Sequence, residues 1–209
     1  MSGLRDRFCA LARRLGATQD PGALADALLE AWAAPGRVYH DQRHLEDGLS
    51  QLDGLPLSAN THDQVEAALW FHDGICDPRA SDNEERSARW AMDALSALGV
   101  GAPVAGEIAR LVLLTRDHAP VPDEAGQLLC DIDLSILGRP AADFDEYERR
   151  VRAEYAWVPE EAYRYGRRGV LSTFLRRQPL FQTDTFRRRF ESSARDNLRR
   201  SLEALGAGT

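Results

Sequence analysis

The chain of 209 residues contains no lysine, so all 26 of its basic residues are arginines, and 33 acidic residues outnumber them. The formal net charge is therefore −7 at pH 7. A negative balance of this size argues against the general electrostatic attraction by which proteins bind the phosphate backbone of nucleic acids. We expect no nucleic-acid partner.

Long apolar runs and paired cysteines are also missing. No apolar run approaches the roughly 20 residues that a membrane-spanning helix needs, and the charged N-terminal stretch lacks the apolar core of a secretory signal. Cys9, Cys76 and Cys130 are widely spaced and form no CxxC pair, which is typical of free thiols in a reducing compartment. We predict a cytoplasmic protein without a membrane partner.

Strand-like alternation, internal repeats and low-complexity segments are almost absent, whereas helical periodicity occurs nearly everywhere. One helix is predicted from about Asp41 to Leu52, and another from Asn60 or Thr61 to Gly74. Asp82 and Glu85 are spaced as a capping box for the next helix. The pattern predicts an all-α fold, a helical bundle around a central helix at 65–73 that is apolar on every side.

Four of the five histidines lie at informative positions. His40 and His44 are four residues apart in VYHDQRHLED, and on a helix this spacing places both side chains on one face. The same spacing is common for surface or core histidines, so the pair alone does not define a site.

His72 and Asp73 end the most apolar helix, in ALWFHDGI. An ionised aspartate is costly to bury unless a partner balances its charge, and a metal ion is an efficient partner. The alternative is a helix C-terminus that opens to solvent at Gly74, with an ordinary salt bridge.

A second acidic motif, CDIDLSILG, contains Asp131 and Asp133. Side chains two positions apart on a helix point about 200° apart around its axis. Only one of the two carboxylates therefore faces a shared site. Leu129, Ile136 and Leu137 lie on the stripe of Asp133, which makes Asp133 the candidate for the buried face. The alternative is a surface carboxylate at 131 and a helix phased differently at 133.

Three further residues are weaker candidates. His118 continues the apolar stripe of its helix and lies at the end of that helix, where loops commonly expose functional groups. A core histidine or a capping histidine fits this position as well. Glu84 lies at a helix start, where a carboxylate also suits the helix dipole. Arg167 could bind phosphate through its bidentate fork, or could be solvated or paired with an acid.

Taken together, His44, His72, Asp73 and Asp133 make a set of two imidazoles and two carboxylates. Such a set suits one divalent transition metal (Mn, Fe, Co, Ni or Zn), with Mg as a further candidate, and leaves positions for water and substrate. A metal there lowers the pKa of bound water and polarises a phosphoryl oxygen.

These residues resemble the HD superfamily of metal-dependent phosphohydrolases, named for the His-Asp pair found here at 72 and 73. Its pattern is an early His, then His-Asp, then a distant Asp, which His44, His72, Asp73 and Asp133 match. The resemblance to a bacterial subgroup covers about residues 37–200, in the stretches ALWFHDGICDP, DNEERSA, LLTRDH, DIDLSILG, EYAWVPEEAYRYGRRGVLSTFLRR and ESSARDNL.

The resemblance implies roles for individual residues. VYHDQRHLEDGL resembles the YHxxxH-like run of the cyclic-nucleotide phosphodiesterase branch, which makes His44 a metal ligand and His40 the proton donor. It lifts Glu84 to a candidate that orients water. In the implied reaction His118 and Arg167 hold the phosphate oxygens, and binding of a second metal is an alternative role for His118. Binuclear members carry more histidines than His118 between the pair and the last Asp, so we expect one metal.

The implied fold is a single HD-type domain over residues 1–209, with a metal core at about 37–138 and C-terminal helices at 140–205 packed on it. The implied function is hydrolysis of a phosphate ester, of a nucleotide or another small phosphorylated metabolite, by metal-bound hydroxide. Two alternatives remain open at this point: a di-iron oxygenase of the HD type and a non-catalytic nucleotide-binding module.

Overall fold

A computed structural model describes residues 2–206, without the side chain of Ser2, and within that range the chain forms helices and no strands. The predicted all-α class is confirmed. The helices are α1 (Ser2–Arg14), α2 (Gly22–Trp32), α3 (Gln42–Asp53), α4 (Ala59–Phe71), α5 (Asn83–Ala97), α6 (Ala102–Leu114), α7 (Glu124–Asp133), α8 (Ala141–Glu154), α9 (Glu160–Arg176) and α10 (Asp184–Gly206), with a 3₁₀ segment at Leu134–Gly138 after α7.

The described residues fall into two compact units, which divide between Leu129 and Cys130, inside α7. The first unit contains α1 to α6 and most of α7, and the second contains the remaining helices. A single domain over residues 1–209, with the C-terminal helices packed on a metal core, stays a prediction. No helix in the described part of the chain combines the length and the apolar character that a bilayer span requires.

The core of the first unit surrounds α4, as the apolar sequence predicts. Every residue from Val65 to Phe71 is buried, and α4 contacts α1, α3, α5 and α6. Glu66 is buried at 1% exposure because its two carboxylate oxygens accept hydrogen bonds from Arg7 Nε (2.6 Å) and Arg14 Nη2 (2.8 Å). The predicted central helix is confirmed.

The helix α4 ends at Phe71, three residues before the Gly74 that the sequence suggested. His72 keeps helical dihedral angles as the C-cap, and the amide of Gly74 then bonds the carbonyl of Phe71 in a tight turn (2.8 Å). A Cβ at position 74 would lie 2.9 Å from Cζ3 of Trp90, so the turn can pass this indole only as glycine.

The capping box predicted at the start of α5 does not form. Asp82 is the N-cap residue, but its side chain makes no capping hydrogen bond. The carboxylate of Glu85 instead accepts a hydrogen bond from Nη1 of Arg116 at 2.6 Å. A tertiary ion pair has replaced the local bond that the spacing suggested.

The second unit is organised by α10, which contacts the 3₁₀ segment, α8 and α9. Gly138 in the 3₁₀ segment lies directly against Phe190 of α10, where a Cβ would overlap the phenylalanine. The amide of Asn197 donates hydrogen bonds to the carbonyls of Leu137 (3.0 Å) and Arg139 (2.9 Å). These contacts hold the chain just after Asp133 against α10.

Candidate metal centre

His72, the C-cap of α4, is held in one orientation by that helix. Its side chain is 2% exposed, and Nδ1 lies 2.9 Å from the carbonyl oxygen of Leu69. A carbonyl oxygen only accepts, so Nδ1 carries the proton and donates it. In the neutral ring Nε2 is then a lone-pair donor to a metal, the arrangement that ligating histidines commonly show.

His44 reaches the same point from α3, beyond the Asp41 N-cap, whose carboxylate accepts a hydrogen bond from the amide of Arg43 at 3.0 Å. The indole of Trp32 lies beneath both imidazoles, with ring centroids 6.1 Å from His44 and 5.5 Å from His72. That buried indole is itself fixed, because its Nε1 donates to the carbonyl of Trp70 at 3.0 Å. The two imidazoles therefore pack against an aromatic side chain that is itself fixed by a hydrogen bond.

Three candidate ligand atoms of the first unit converge. Nε2 of His44 and Nε2 of His72 are 3.2 Å apart, and Oδ2 of Asp73 lies 3.2 Å from the His72 atom and 3.7 Å from the His44 atom. A circle of about 2.0 Å radius passes through three atoms so spaced, which matches zinc–ligand distances of about 2.0–2.2 Å. The donor set and its spacing fit a divalent transition metal.

The three atoms of this triangle need a proton or a cation between them. Burial favours the neutral form of Asp73, but the positive charges of His72 and His40, when those rings are protonated, outweigh it, so that the pKa of Asp73 is lowered. With Nδ1 of His72 already donating to Leu69, two lone pairs and a carboxylate face one another unless a proton or a metal ion lies between them. The side chain of Asp73 is 21% exposed, so an ion from solvent can reach it.

His40 lies in the turn before α3, outside the helix. The helix begins at Gln42, so the explanation that a shared helical face joins His40 and His44 is wrong. Their ring centroids are nevertheless 5.9 Å apart, and both rings contact Tyr39, which is buried, at 4.9 Å and 5.1 Å. Tyr39, rather than helical periodicity, brings the rings together.

Arg37 is a site residue that the sequence analysis missed. Its guanidinium donates hydrogen bonds to the carbonyls of His40 (3.0 Å), Asp73 (2.6 Å) and Gly74 (2.9 Å). It therefore links the segment before α3 to the segment after α4. Backbone carbonyls carry no residue-type signal, so the sequence pattern could not show this link.

The DNEERSA stretch supplies two side chains that fix the loop after Gly74. Ser87 Oγ accepts a hydrogen bond from the amide of Ile75 at 3.0 Å. Asn83 bonds both backbone groups of Asp77, at 3.1 Å and 2.9 Å. The motif thus has a clear structural role beside the candidate centre.

The roles predicted for Glu84 and His118 stay predictions. Glu84 is half-buried in the first turn of α5, and its charge helps to raise the pKa of Arg116, after the larger effect of Glu85 and that of Asp117. His118 lies beyond α6 with φ of 51°, the left-handed region, which a residue other than glycine adopts at a cost. Strain of this kind is concentrated at functional sites.

Within the second unit, Asp131 rather than Asp133 is fully buried, so the predicted assignment of the buried face was wrong. Oδ1 of Asp131 accepts the amide hydrogen of Gln182, and Oδ2 accepts the amide and hydroxyl hydrogens of Thr183, all at 2.7 Å. These bonds explain its burial without any metal. Asp133 is half-buried at the end of α7, and its role as the fourth ligand stays a prediction.

Arg167 is also occupied within the second unit. Its guanidinium forms an ion pair with Glu148 and stacks on the ring of Tyr147 at 5.0 Å. Burial lowers its pKa, but the charge of Tyr147 and the bonds and charge of Glu148 more than compensate, so the pKa of Arg167 is raised overall. Its predicted role in substrate binding stays a prediction beside this structural one.

A second group of donors in the first unit, His62, Asp63 and Glu66, could also hold a metal ion by spacing. Arginines already neutralise its carboxylates: Arg14 bonds Asp63 at 2.9 Å as well as Glu66. A cation would have to displace these guanidinium groups. The triangle of His44, His72 and Asp73 is the better candidate, because within the described residues the ion-pair partners of its carboxylate are imidazoles and not guanidinium groups.

Comparisons of the chain with protein-family models, with curated proteins and with solved structures found no match. The class of protein is therefore defined by its fold and its donor residues alone. It is an all-helical protein, within the described residues, with side-chain clusters that could hold a metal ion.

Proposed function

We propose that the protein is a divalent-metal-dependent hydrolase that cleaves a phosphate ester of a small molecule, such as a nucleotide. The observation that carries the proposal is the convergence of His44 Nε2, His72 Nε2 and Asp73 Oδ2 within 3.2–3.7 Å of one another. The sequence resemblance to the HD superfamily, drawn from the same residues, supplies the reaction class.

The donor set suits a borderline metal. Two imidazoles favour Mn, Fe, Co, Ni or Zn over Mg, which prefers oxygen ligands. Bound there, such an ion would polarise a phosphoryl oxygen and lower the pKa of a coordinated water. Asp133 is the predicted fourth ligand, on the strength of the sequence alone.

The side chains around the triangle would divide the remaining work. His72 keeps Nε2 aimed at the site because Nδ1 is fixed on Leu69. His40, with its ring 5.9 Å from that of His44, would protonate the departing alkoxide oxygen, a step in which a histidine is effective near neutral pH. His118 and Arg167 are the predicted contacts to phosphate, and Glu84 the predicted residue that orients water.

The test is a screen of phosphorylated metabolites against metal-free protein reloaded with Mn, Co, Ni, Zn or Mg. We expect phosphate release with at least one metal and none after a chelator. The variant His72→Ala should be inactive, whereas the matched control His62→Ala, which changes the other histidine cluster, should stay active.

Three outcomes would contradict the proposal. Activity that resists the chelator would remove the metal from the reaction. Two iron atoms per chain with oxygen consumption would favour a di-iron oxygenase. Tight nucleotide binding without turnover under every metal would favour a binding module.

A further inference from the structure

Arg37 joins two segments of the first unit that are distant in sequence. Nη1 bonds the carbonyls of His40 and Asp73, and Nη2 bonds that of Gly74. The first carbonyl precedes α3, which carries His44. The other two belong to the residues directly after His72, the C-cap of α4. One guanidinium therefore bridges both halves of the ligand triangle.

The guanidinium itself is fixed in place. Its central carbon lies 5.4 Å from the ring centroid of Trp32, the same indole that supports the imidazoles of His44 and His72. A planar fork held on an aromatic face can bond several carbonyls at once, and a lysine ammonium cannot reproduce that geometry. Hydrogen bonds from a charged donor are also stronger than neutral ones.

This arrangement carries an unfavourable feature. Nε of Arg37 is buried and has no hydrogen-bond partner within the described residues. Leaving a buried donor unpaired opposes folding. Departures of this kind from local optimisation are expected where a residue serves a functional site.

We infer that Arg37 is a positioning residue, which fixes the separation of His44 from His72 and Asp73 and thereby sets the metal affinity of the centre. The inference rests on the proposed metal centre. Residues beyond the ligands that orient them typically change metal affinity about 10–100-fold when they are replaced. Arg37 acts through the backbone of the ligand-bearing segments and need not touch the metal or the substrate.

The test compares Arg37→Met and Arg37→Lys with the control Arg43→Met, which removes an exposed arginine from the first turn of α3. Zinc affinity is measured by chelator competition, and the unfolding of the metal-free forms by urea. We expect Arg37→Met to bind zinc about 10–100-fold more weakly, Arg37→Lys to be intermediate, and Arg43→Met to match the wild type. The loss should persist under conditions in which the metal-free variant is fully folded.

A second readout needs no metal and separates this inference from the proposed function. In the metal-free wild type, NMR should show a cross-relaxation contact between the rings of His44 and His72, whose centroids are 5.3 Å apart. Arg37→Met should weaken that contact and Arg43→Met should keep it. If the wild type shows the contact and Arg37→Met loses it, the positioning role stands even if no zinc binds.

Wild-type zinc affinity or an unchanged ring contact in folded Arg37→Met would overturn the inference. If Arg37→Met does not fold, Arg37→Lys decides. Weaker zinc binding together with a weaker ring contact in the folded lysine variant would support the role, and a wild-type value for either would refute it.

Discussion

The Nε2 atoms of His44 and His72 lie 3.2 Å apart although 28 residues separate them in sequence. Nδ1 of His72 already donates to Leu69, so the space between the two rings must hold either a proton or a cation. Asp73 adds a negative charge at the same place. A divalent ion satisfies all three atoms at once.

Replacing His72 by alanine should remove the metal, abolish activity and lower stability. The variant leaves the carboxylate of Asp73 without its nearest partner and opens a cavity beside Trp32. We expect the free energy of unfolding to fall by about 1–3 kcal/mol. Elemental analysis and urea unfolding measure the two effects, with His62→Ala as the control that keeps its metal. Full metal occupancy in His72→Ala would refute the ligand assignment.

His40 and His44 should behave differently although their rings are close. His44→Ala should lose the metal, because one ligand is gone. His40→Ala should keep the metal and lose turnover by roughly 10²–10⁴-fold if His40 is the general acid. The loss should shrink for a nitrophenyl ester, because its leaving oxygen needs no proton. Metal content and kinetics on a good and a poor leaving group measure both effects.

Two results would change the role of His40. If His40→Ala loses its metal as His44→Ala does, His40 is a ligand. If both leaving groups suffer equally, His40 positions the substrate or the attacking water instead.

Asp131 and Asp133 should separate stability from metal binding. Asp131→Asn places an amide nitrogen where a carboxylate oxygen now accepts hydrogen bonds from Gln182 or Thr183. We expect it to lower stability by about 1–3 kcal/mol with the metal retained. Asp133→Asn should weaken metal binding with little loss of stability. The reverse pattern, measured by zinc titration and urea unfolding, would make Asp131 the ligand.

Tyr163 gives a pH-dependent prediction in the second unit. Its hydroxyl is buried without a hydrogen-bond partner within the described residues, so Tyr163→Phe should be neutral or stabilise by up to about 1 kcal/mol. Burial first, and then the charge of Glu148, raise the pKa of Tyr163 to about 12, against about 10 in an unfolded chain.

A folded pKa above the unfolded value favours the neutral phenol in the native state. The wild type should therefore lose stability relative to Tyr163→Phe as pH rises from about 10 towards 12. Urea unfolding of both proteins near neutral pH and near pH 11 measures the difference. A difference that does not change with pH would mean that the hydroxyl is solvated in the native protein.

Local signals in the sequence predicted much of the fold. The helix that begins near Asp41 and the apolar helix α4 depend on neighbouring residues, and both are present. The end of α4 depends on a close approach to Trp90, and the carboxylate of Glu85 bonds Arg116, 31 residues away. Contacts of this kind are set by tertiary packing, which helical periodicity does not encode.

The candidate site was predictable to the extent that its ligands are polar residues in apolar surroundings, as His72 and Asp73 are. Phasing on an ideal helix failed for Asp131, because amide groups some 50 residues later, at Gln182 and Thr183, satisfy its buried carboxylate. Arg37 could not be identified, since its partners are backbone carbonyls.

The most direct test of the metal centre is anomalous diffraction from crystals grown with zinc or manganese, recorded on both sides of the absorption edge of that metal. The account predicts one peak about 2.0–2.3 Å from Nε2 of His44, Nε2 of His72 and Oδ2 of Asp73. An empty triangle at a saturating concentration of the metal, or a peak only at His62, Asp63 and Glu66, would contradict this prediction.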